Sequence, residues 1–248
     1  MQNNFFCKNP FINLYESPSI KSKISSQILY GEKFKILNKK KNWIKIKTDF
    51  DHYIGYIKNK KYTKKFSPTH KVKILKTEIF KQPKKFNKHK IKKFLSFGSK
   101  IEILKRYKSF IMFNNNQWIN KNSLTKINYK EKNLIKILKL FTNCRYKWGG
   151  KTFDGIDCSA LLQIFFQFNN KFIPRDTKDQ IKFFKKTKKI KKNNLLFWKG
   201  HVAIIISKDK VIHAYGPKRK VIVMKIDETI KRIEKTANLK LLGIKKIN

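Results

Sequence analysis

Two stretches of this chain repeat one another 67 residues apart, and that repeat restricts the N-terminal half more than any other feature. Gly31-Glu32-Lys33-Phe34-Lys35-Ile36-Leu37 aligns with Gly98-Ser99-Lys100-Ile101-Glu102-Ile103-Leu104, and Trp43-Ile44-Lys45-Ile46 aligns with Phe110-Ile111-Met112-Phe113 at the same offset. The first copy holds short β-branched or aromatic runs, Ile28-Leu29-Tyr30, Phe34 to Leu37, Trp43 to Ile46 and Tyr53 to Ile57. Gly31, Asn38 and Asp49-Phe50-Asp51 punctuate them. Strands this short, joined by turns, predict a small all-β barrel over residues 1–66. After the breaker Ser67-Pro68, a second and divergent barrel is predicted over 67–128, closed by Trp118-Ile119 as Tyr56-Ile57 closes the first.

From Glu131 the texture changes. Leu134 to Phe141 has helical apolar spacing, and Cys158 to Phe168 carries Leu161, Leu162, Ile164, Phe165 and Phe168 along one face, with Asp157 placed to cap it. A third helix is expected from Gln180 to about Lys186. Strands then take over: Leu195 to Trp198, His201 to Ile206, Lys210 to Ala214, Val221 to Met224 and Leu241 to Ile244. Helices followed by an antiparallel sheet make residues 129–248 an α+β domain.

Composition decides which functions stay open. With 40% apolar and 14% aromatic residues over 248 positions the chain can bury a core without staples. Cys7, Cys144 and Cys158 are an odd number at unrelated spacings, so no disulfide framework is expected and the thiols point to a reducing compartment. No run approaches the roughly 18 apolar residues of a membrane span, and Met1 to Tyr15 lacks the pattern of an export signal, so a soluble cytoplasmic protein is expected. Lys+Arg 61 against Asp+Glu 15 would ordinarily point to nucleic acid. Here the lysines are spread through almost every segment, alternating with Ile and Phe inside strands. That reads as a solvated coat attracting anions non-specifically, and no specific nucleic-acid partner is expected.

The chemistry gathers around Cys158. A cysteine at the first turn of a helix feels the positive end of the dipole and free backbone N–H groups, which favour thiolate and can face an oxyanion. His201 and His213 sit downstream in β-like runs. A three-residue loop at Ser207-Lys208-Asp209 pairs Ile206 with Lys210 and sets His213 opposite Ala203, diagonal to His201 on the same face. A two-residue loop would send the imidazoles to opposite faces, and the odd-numbered loop is the one expected. A zinc site from one cysteine and two histidines lacks the close ligand pairs such sites use, so no metal and no cofactor is expected. Cys7, in the tail, and Cys144 are read as inert.

These residues carry a resemblance. Tyr146-x-Trp148-Gly149-Gly150, Asp157-Cys158-Ser159, Ile173-Pro174-Arg175, Gln180, His201-Val202 and Ile212-His213-Ala214 are similar, in order and approximate spacing, to the NlpC family of papain-like cysteine peptidases. Leu29-Tyr30-Gly31-Glu32, Trp43 and Gly55-Tyr56 resemble bacterial SH3 domains. The resemblance implies a nucleophile at Cys158, a general base at His201 and an orienting partner at His213. Tyr146, Trp148, Asp157, Ser159 and Arg175 are implied to line the site and contact substrate. Ala160 and Ala203 stand where the family usually has Gly, and Asn193-Asn194 replaces the Gly-Asp before the sheet.

Family members mostly cleave cell-wall peptides, commonly between γ-linked D-glutamate and a diamino acid. The pairing of Arg175 with Asp176, and Glu32 and Tyr53 in the first barrel, resemble members that take murein fragments with a free L-alanine amine during recycling. Asp176 and Glu32 are then expected to hold the ammonium, with Tyr53 and Trp43 shaping the wall. An envelope endopeptidase acting on intact wall and a non-catalytic SH3-type binding protein are the alternatives.

Overall fold

Period-two alternation builds the N-terminal unit. In the strand Trp43–Thr48, Ile44, Ile46 and Thr48 are buried while Trp43, Lys45 and Lys47 are half-buried, the pattern of a strand with one face on a core. The structure, a computed structural model, describes residues 4–59, 62–84 and 87–247 and divides into two compact units, Met1–Lys130 and Glu131–Asn248.

In the first unit, a seven-stranded antiparallel sheet runs in the order Ile24–Leu29, Phe11–Tyr15, Ile54–Lys58, Trp43–Thr48, Lys33–Lys40, Asn4–Cys7, Tyr62–Thr63. Asn38, expected to end a strand, instead lies within one, where the pairing shifts by a bulge between Ile36 and Asn38. Cys7 belongs to a strand and not to a loose tail. Its thiol is fully buried, donates to the Asn9 carbonyl at 3.3 Å, and is pushed up to about 12 by burial.

The second copy forms a five-stranded sheet, Lys90–Ser96, Lys76–Phe80, Gln117–Asn120, Phe110–Asn114, Lys105–Tyr107, and a three-stranded one, Lys100–Ile101, His70–Val72, Leu124–Lys126. The two copies share side chains. Tyr30 and Phe66, from the first copy, sit in the core of the second with Val72, Leu95, Ile111 and Phe113, and the Tyr30 hydroxyl donates to the Phe113 carbonyl at 3.3 Å. Gly31 makes that junction possible. Its φ of +75° suits glycine, and a Cβ there would lie 2.5 Å from the Lys100 carbonyl oxygen.

Among the described residues, the second unit joins four helices to an antiparallel sheet, an α+β arrangement. Helix α1 (Leu134–Leu140) is capped by the Asn133 side chain, and α2 (Cys158–Phe168) by that of Asp157. The third helix, α3, spans Thr177–Phe183, earlier than the expected Gln180 start. Lys185–Thr187 leaves it as an edge strand beside Gly243–Lys246. The six-stranded sheet runs Lys185–Thr187, Gly243–Lys246, Leu195–Trp198, His201–Ile205, Lys210–Tyr215, Lys220–Lys225.

Helix α4 (Ile226–Ala237) is absent from the sequence expectation. Its Ile226 and Ile233 complete a core with Leu196, Ala203, Ile205, Val211 and Met224, while Ile230 packs partly buried against it. Entry to the sheet survives the loss of Gly-Asp. Asn193 adopts φ 71°, which Asn tolerates, and the Asn193 and Asn194 backbone exchanges bonds of 2.8 and 2.9 Å with Ile205. No helix among the described residues is long and apolar enough to cross a membrane.

Candidate active site

The foot of α2 is organised by one carboxylate. Asp157 Oδ1 accepts from the Ala160 N–H at 2.8 Å, the Ser159 hydroxyl at 3.1 Å and Arg175 Nη1 at 3.0 Å. Its Oδ2 accepts from Arg175 Nη2 at 2.6 Å and the Gly149 N–H at 2.9 Å. Arg175 Nη1 also donates to Ser159 Oγ at 2.7 Å. Asp157, Ser159 and Arg175 are 6%, 6% and 2% exposed, so a charged pair is buried with its hydrogen bonds made. The Asp157 carboxylate thus serves protein donors; the substrate contact is what the family resemblance implies for it. Gly149, at φ 68°, turns its N–H onto that carboxylate. Gly150 lets the turn close against the Gly155 carbonyl, 2.4 Å from where a Cβ would stand. Gln180 locks the far side, donating through Nε2 to the Ser159 and Pro174 carbonyls at 3.1 and 3.0 Å.

Cys158 opens α2 and is 5% exposed. Its sulfur donates to the Gly200 carbonyl at 3.8 Å, and the Val202 and Ser159 backbones also hydrogen-bond it, so it rests against the segment that carries His201. Those N–H groups favour thiolate, as the helix terminus does, yet burial outweighs them. With the Asp157 charge adding to it, desolvation pushes the thiol up to about 12. Cys144, by contrast, is a packing thiol, donating to the Phe153 carbonyl at 3.1 Å.

The hairpin has the odd-numbered loop. Ile204 pairs with Ile212 and Ile205 with Val211, and the Ile206 N–H reaches the Lys210 carbonyl at 2.9 Å, which puts Ala203 opposite His213. His201 Nε2 then lies 2.8 Å from His213 Nδ1. Ala203 is fully buried. The Tyr215 ring stacks on His213 at 4.9 Å, and Trp198 flanks His201 at 5.7 Å. Desolvation pushes His201 down to about 4 and His213 well below the usual imidazole range, so both rings are neutral at neutral pH.

Tyr146 is half-buried, its ring 3.6 Å from where a Cβ on Gly216 would stand. Burial, and then the nearby Cys158 and Asp157, hold its hydroxyl protonated. Trp148 is 61% exposed, a large aromatic surface at the rim of the glycine turn. Asp176 immediately precedes α3, half-buried, and its side chain does not cap that helix. Glu32 and Tyr53 lie in the N-terminal unit. Glu32 is 5% exposed at a turn, and Tyr53 packs on the first core with its N–H on Thr48 Oγ1 at 2.8 Å. Met224 was missed from sequence: its sulfur lies 3.5 Å from His213 Nε2. Among the described residues no group of three or more His, Cys, Asp or Glu could hold a metal ion.

A thiol at a helix N-terminus, resting against the Gly200 and Val202 backbone on either side of one imidazole, with a second imidazole bonded to that one, defines a thiol-hydrolase type of site. Residues 143–237 match the NlpC/P60 family and residues 14–61 the bacterial dipeptidyl-peptidase Sh3 domain. The chain thus carries an NlpC/P60 domain, of a cysteine-peptidase family, with a bacterial dipeptidyl-peptidase SH3 domain ahead of it. It is 24% identical over 243 residues to Dipeptidyl-peptidase 6 of Lysinibacillus sphaericus, over 87% of this chain and 89% of that protein. Gamma-D-glutamyl-L-lysine dipeptidyl-peptidase of Bacillus cereus is also 24% identical over 243 residues, covering 83% of this chain and 72% of that one. A solved NlpC/P60 family protein from Bacillus cereus shares the fold, with TM-score 0.81 at 20% identity over 98% of this chain and 99% of that one.

Proposed function

We propose that this protein is a cysteine peptidase that hydrolyses the γ-D-glutamyl to diamino acid bond of murein peptides bearing a free L-alanine amine, acting in the cytoplasm on recycled fragments. The observation that carries the reading is the His201 to His213 contact of 2.8 Å on the strand whose preceding residue, Gly200, accepts from the Cys158 sulfur at the foot of α2. The substrate class is supported by the two relatives aligned over most of their length, both named as dipeptidyl-peptidases.

His201 accepts the Cys158 proton as sulfur attacks the γ-glutamyl carbonyl. Because the resting thiol and imidazole are both neutral, that transfer accompanies attack and does not precede it. The oxyanion rests on the Cys158 backbone N–H with the protonated Tyr146 hydroxyl beside it. His201, held by His213, then protonates the departing amine, and water hydrolyses the thioester with His201 again as base. Trp148 offers apolar surface to the peptide. The Arg175 charge, offset by Asp157, orders the Asp157-Cys158-Ser159 turn. Asp176 is the carboxylate for the substrate ammonium.

The test is mass spectrometry of products from L-Ala-γ-D-Glu-diamino acid, with free and acetylated amine, for wild type and Asp176→Asn. The expected result is release of L-Ala-γ-D-Glu. KM for the free-amine peptide should rise about tenfold in the variant, and hydrolysis of the blocked peptide, already poor, should change little. Equal losses on both peptides would remove Asp176 from amine recognition. Cleavage of whole sacculi in preference to the tripeptide would favour the envelope reading.

A further inference from the structure

The hydrogen-bond chain that begins at His201 continues past His213. On the strand Lys220–Lys225, Ile222 pairs with His213 and Met224 with Val211, so Met224 sits diagonal to His213 on the same face of the sheet. Its sulfur is 3.5 Å from His213 Nε2, and the two residues are 8% and 0% exposed. Among the described residues, the hydrogen bonds of the His213 ring go to His201 Nε2 and Met224 Sδ. The His213 ring is held between the Tyr215 ring, stacked at 19°, and that chain of contacts.

A thioether sulfur accepts a hydrogen bond and has none to give. The geometry points to Met224 as a positioning residue that fixes which nitrogens of the His201 and His213 pair carry protons. With sulfur as acceptor, the proton of neutral His213 sits on Nε2 and leaves a lone pair on Nδ1. His201 must then donate from Nε2, and its Nδ1 is left bare, the form a general base needs. The opposite arrangement faces a nitrogen lone pair against sulfur lone pairs. It also puts a proton on His201 Nδ1, where two donors, thiol and imidazole, leave no base. This role rests on the peptidase reading for its consequence, though the tautomer itself can be read without substrate.

The test uses the full chain labelled with 15N-histidine, in which five histidines give few enough signals to assign. Long-range 1H–15N correlations on the resting protein are expected to show His213 and His201 both protonated at Nε2. Met224→Leu, close in volume and lacking an acceptor, should raise the other tautomer measurably and lower kcat roughly tenfold, with KM changed less than about twofold. Met224→Gln, which returns an acceptor oxygen at similar reach, should recover most of that loss. Wild-type His213 protonated at Nδ1, or a Met224→Leu protein that loses activity with its tautomers unchanged, would overturn the assignment. A wild-type protein with the expected tautomers that cleaves no murein tripeptide would instead count against the peptidase reading alone.

Discussion

Two buried polar clusters of the second unit are built in opposite ways. The Asp157, Ser159 and Arg175 cluster is charged and multiply bonded, with five donors on one carboxylate. The His201, His213 and Met224 chain is neutral and singly bonded, one contact at each joint. The first cluster has no proton to move and every reason to stay put, because a lone charge left in that interior is costly. The second holds one mobile proton per ring in a place where the rings resist charging. Rigid placement and proton handling are thereby assigned to different residues.

Breaking the charged cluster should give the largest change in stability. Arg175→Met leaves the Asp157 carboxylate buried without its main partner, and a loss of about 3–5 kcal/mol in unfolding free energy is expected from denaturant titration. A loss below about 1 kcal/mol would mean that the cluster is not the scaffold described here.

The histidine chain should respond to pH instead. With the His201 ring at about 4 in the folded protein, the base stays available far below the ordinary imidazole midpoint. The acid limb of kcat/KM should therefore fall near pH 4 and not near 6.5. The linked stability has the same direction. An unfolded histidine takes up its proton near pH 6.5 while the folded ring resists, so stability is retained above 6.5 and declines as pH falls toward 4. Circular dichroism across the same range separates loss of the base from loss of the fold.

The smallest effect sharpens the contrast within the charged cluster. Ser159→Ala removes one hydroxyl but leaves both Arg175 to Asp157 bonds, so about 1 kcal/mol is expected by thermal unfolding.

Much of this arrangement was legible in the chain itself, for reasons that differ by element. Helix α2 could be placed because a capping Asp157 precedes an apolar face at helical spacing, and the hairpin register because loop parity alone decides which face His213 takes. What escaped had weaker or non-local signals. The spacing of Ile226, Ile230 and Ile233 fits α4, but only three apolar positions directly after a strand leave the segment unassigned from sequence. Met224 was invisible as a functional neighbour, since only the pairing of two strands brings its sulfur to His213. The helix-terminus argument predicted a ready thiolate at Cys158 because a sequence does not reveal desolvation. The place of Tyr30 and Phe66 in the second core likewise depends on contacts between copies that a repeat pattern does not display.

The most direct measurement is turnover of L-Ala-γ-D-Glu-diamino acid by wild type and by Cys158→Ala, with released diamino acid quantified and the fold of the variant checked by thermal unfolding. Wild type should release the diamino acid, and the variant should release none while unfolding within about 2 °C of wild type. Release by a folded Cys158→Ala protein would contradict the assignment of the sulfur as nucleophile.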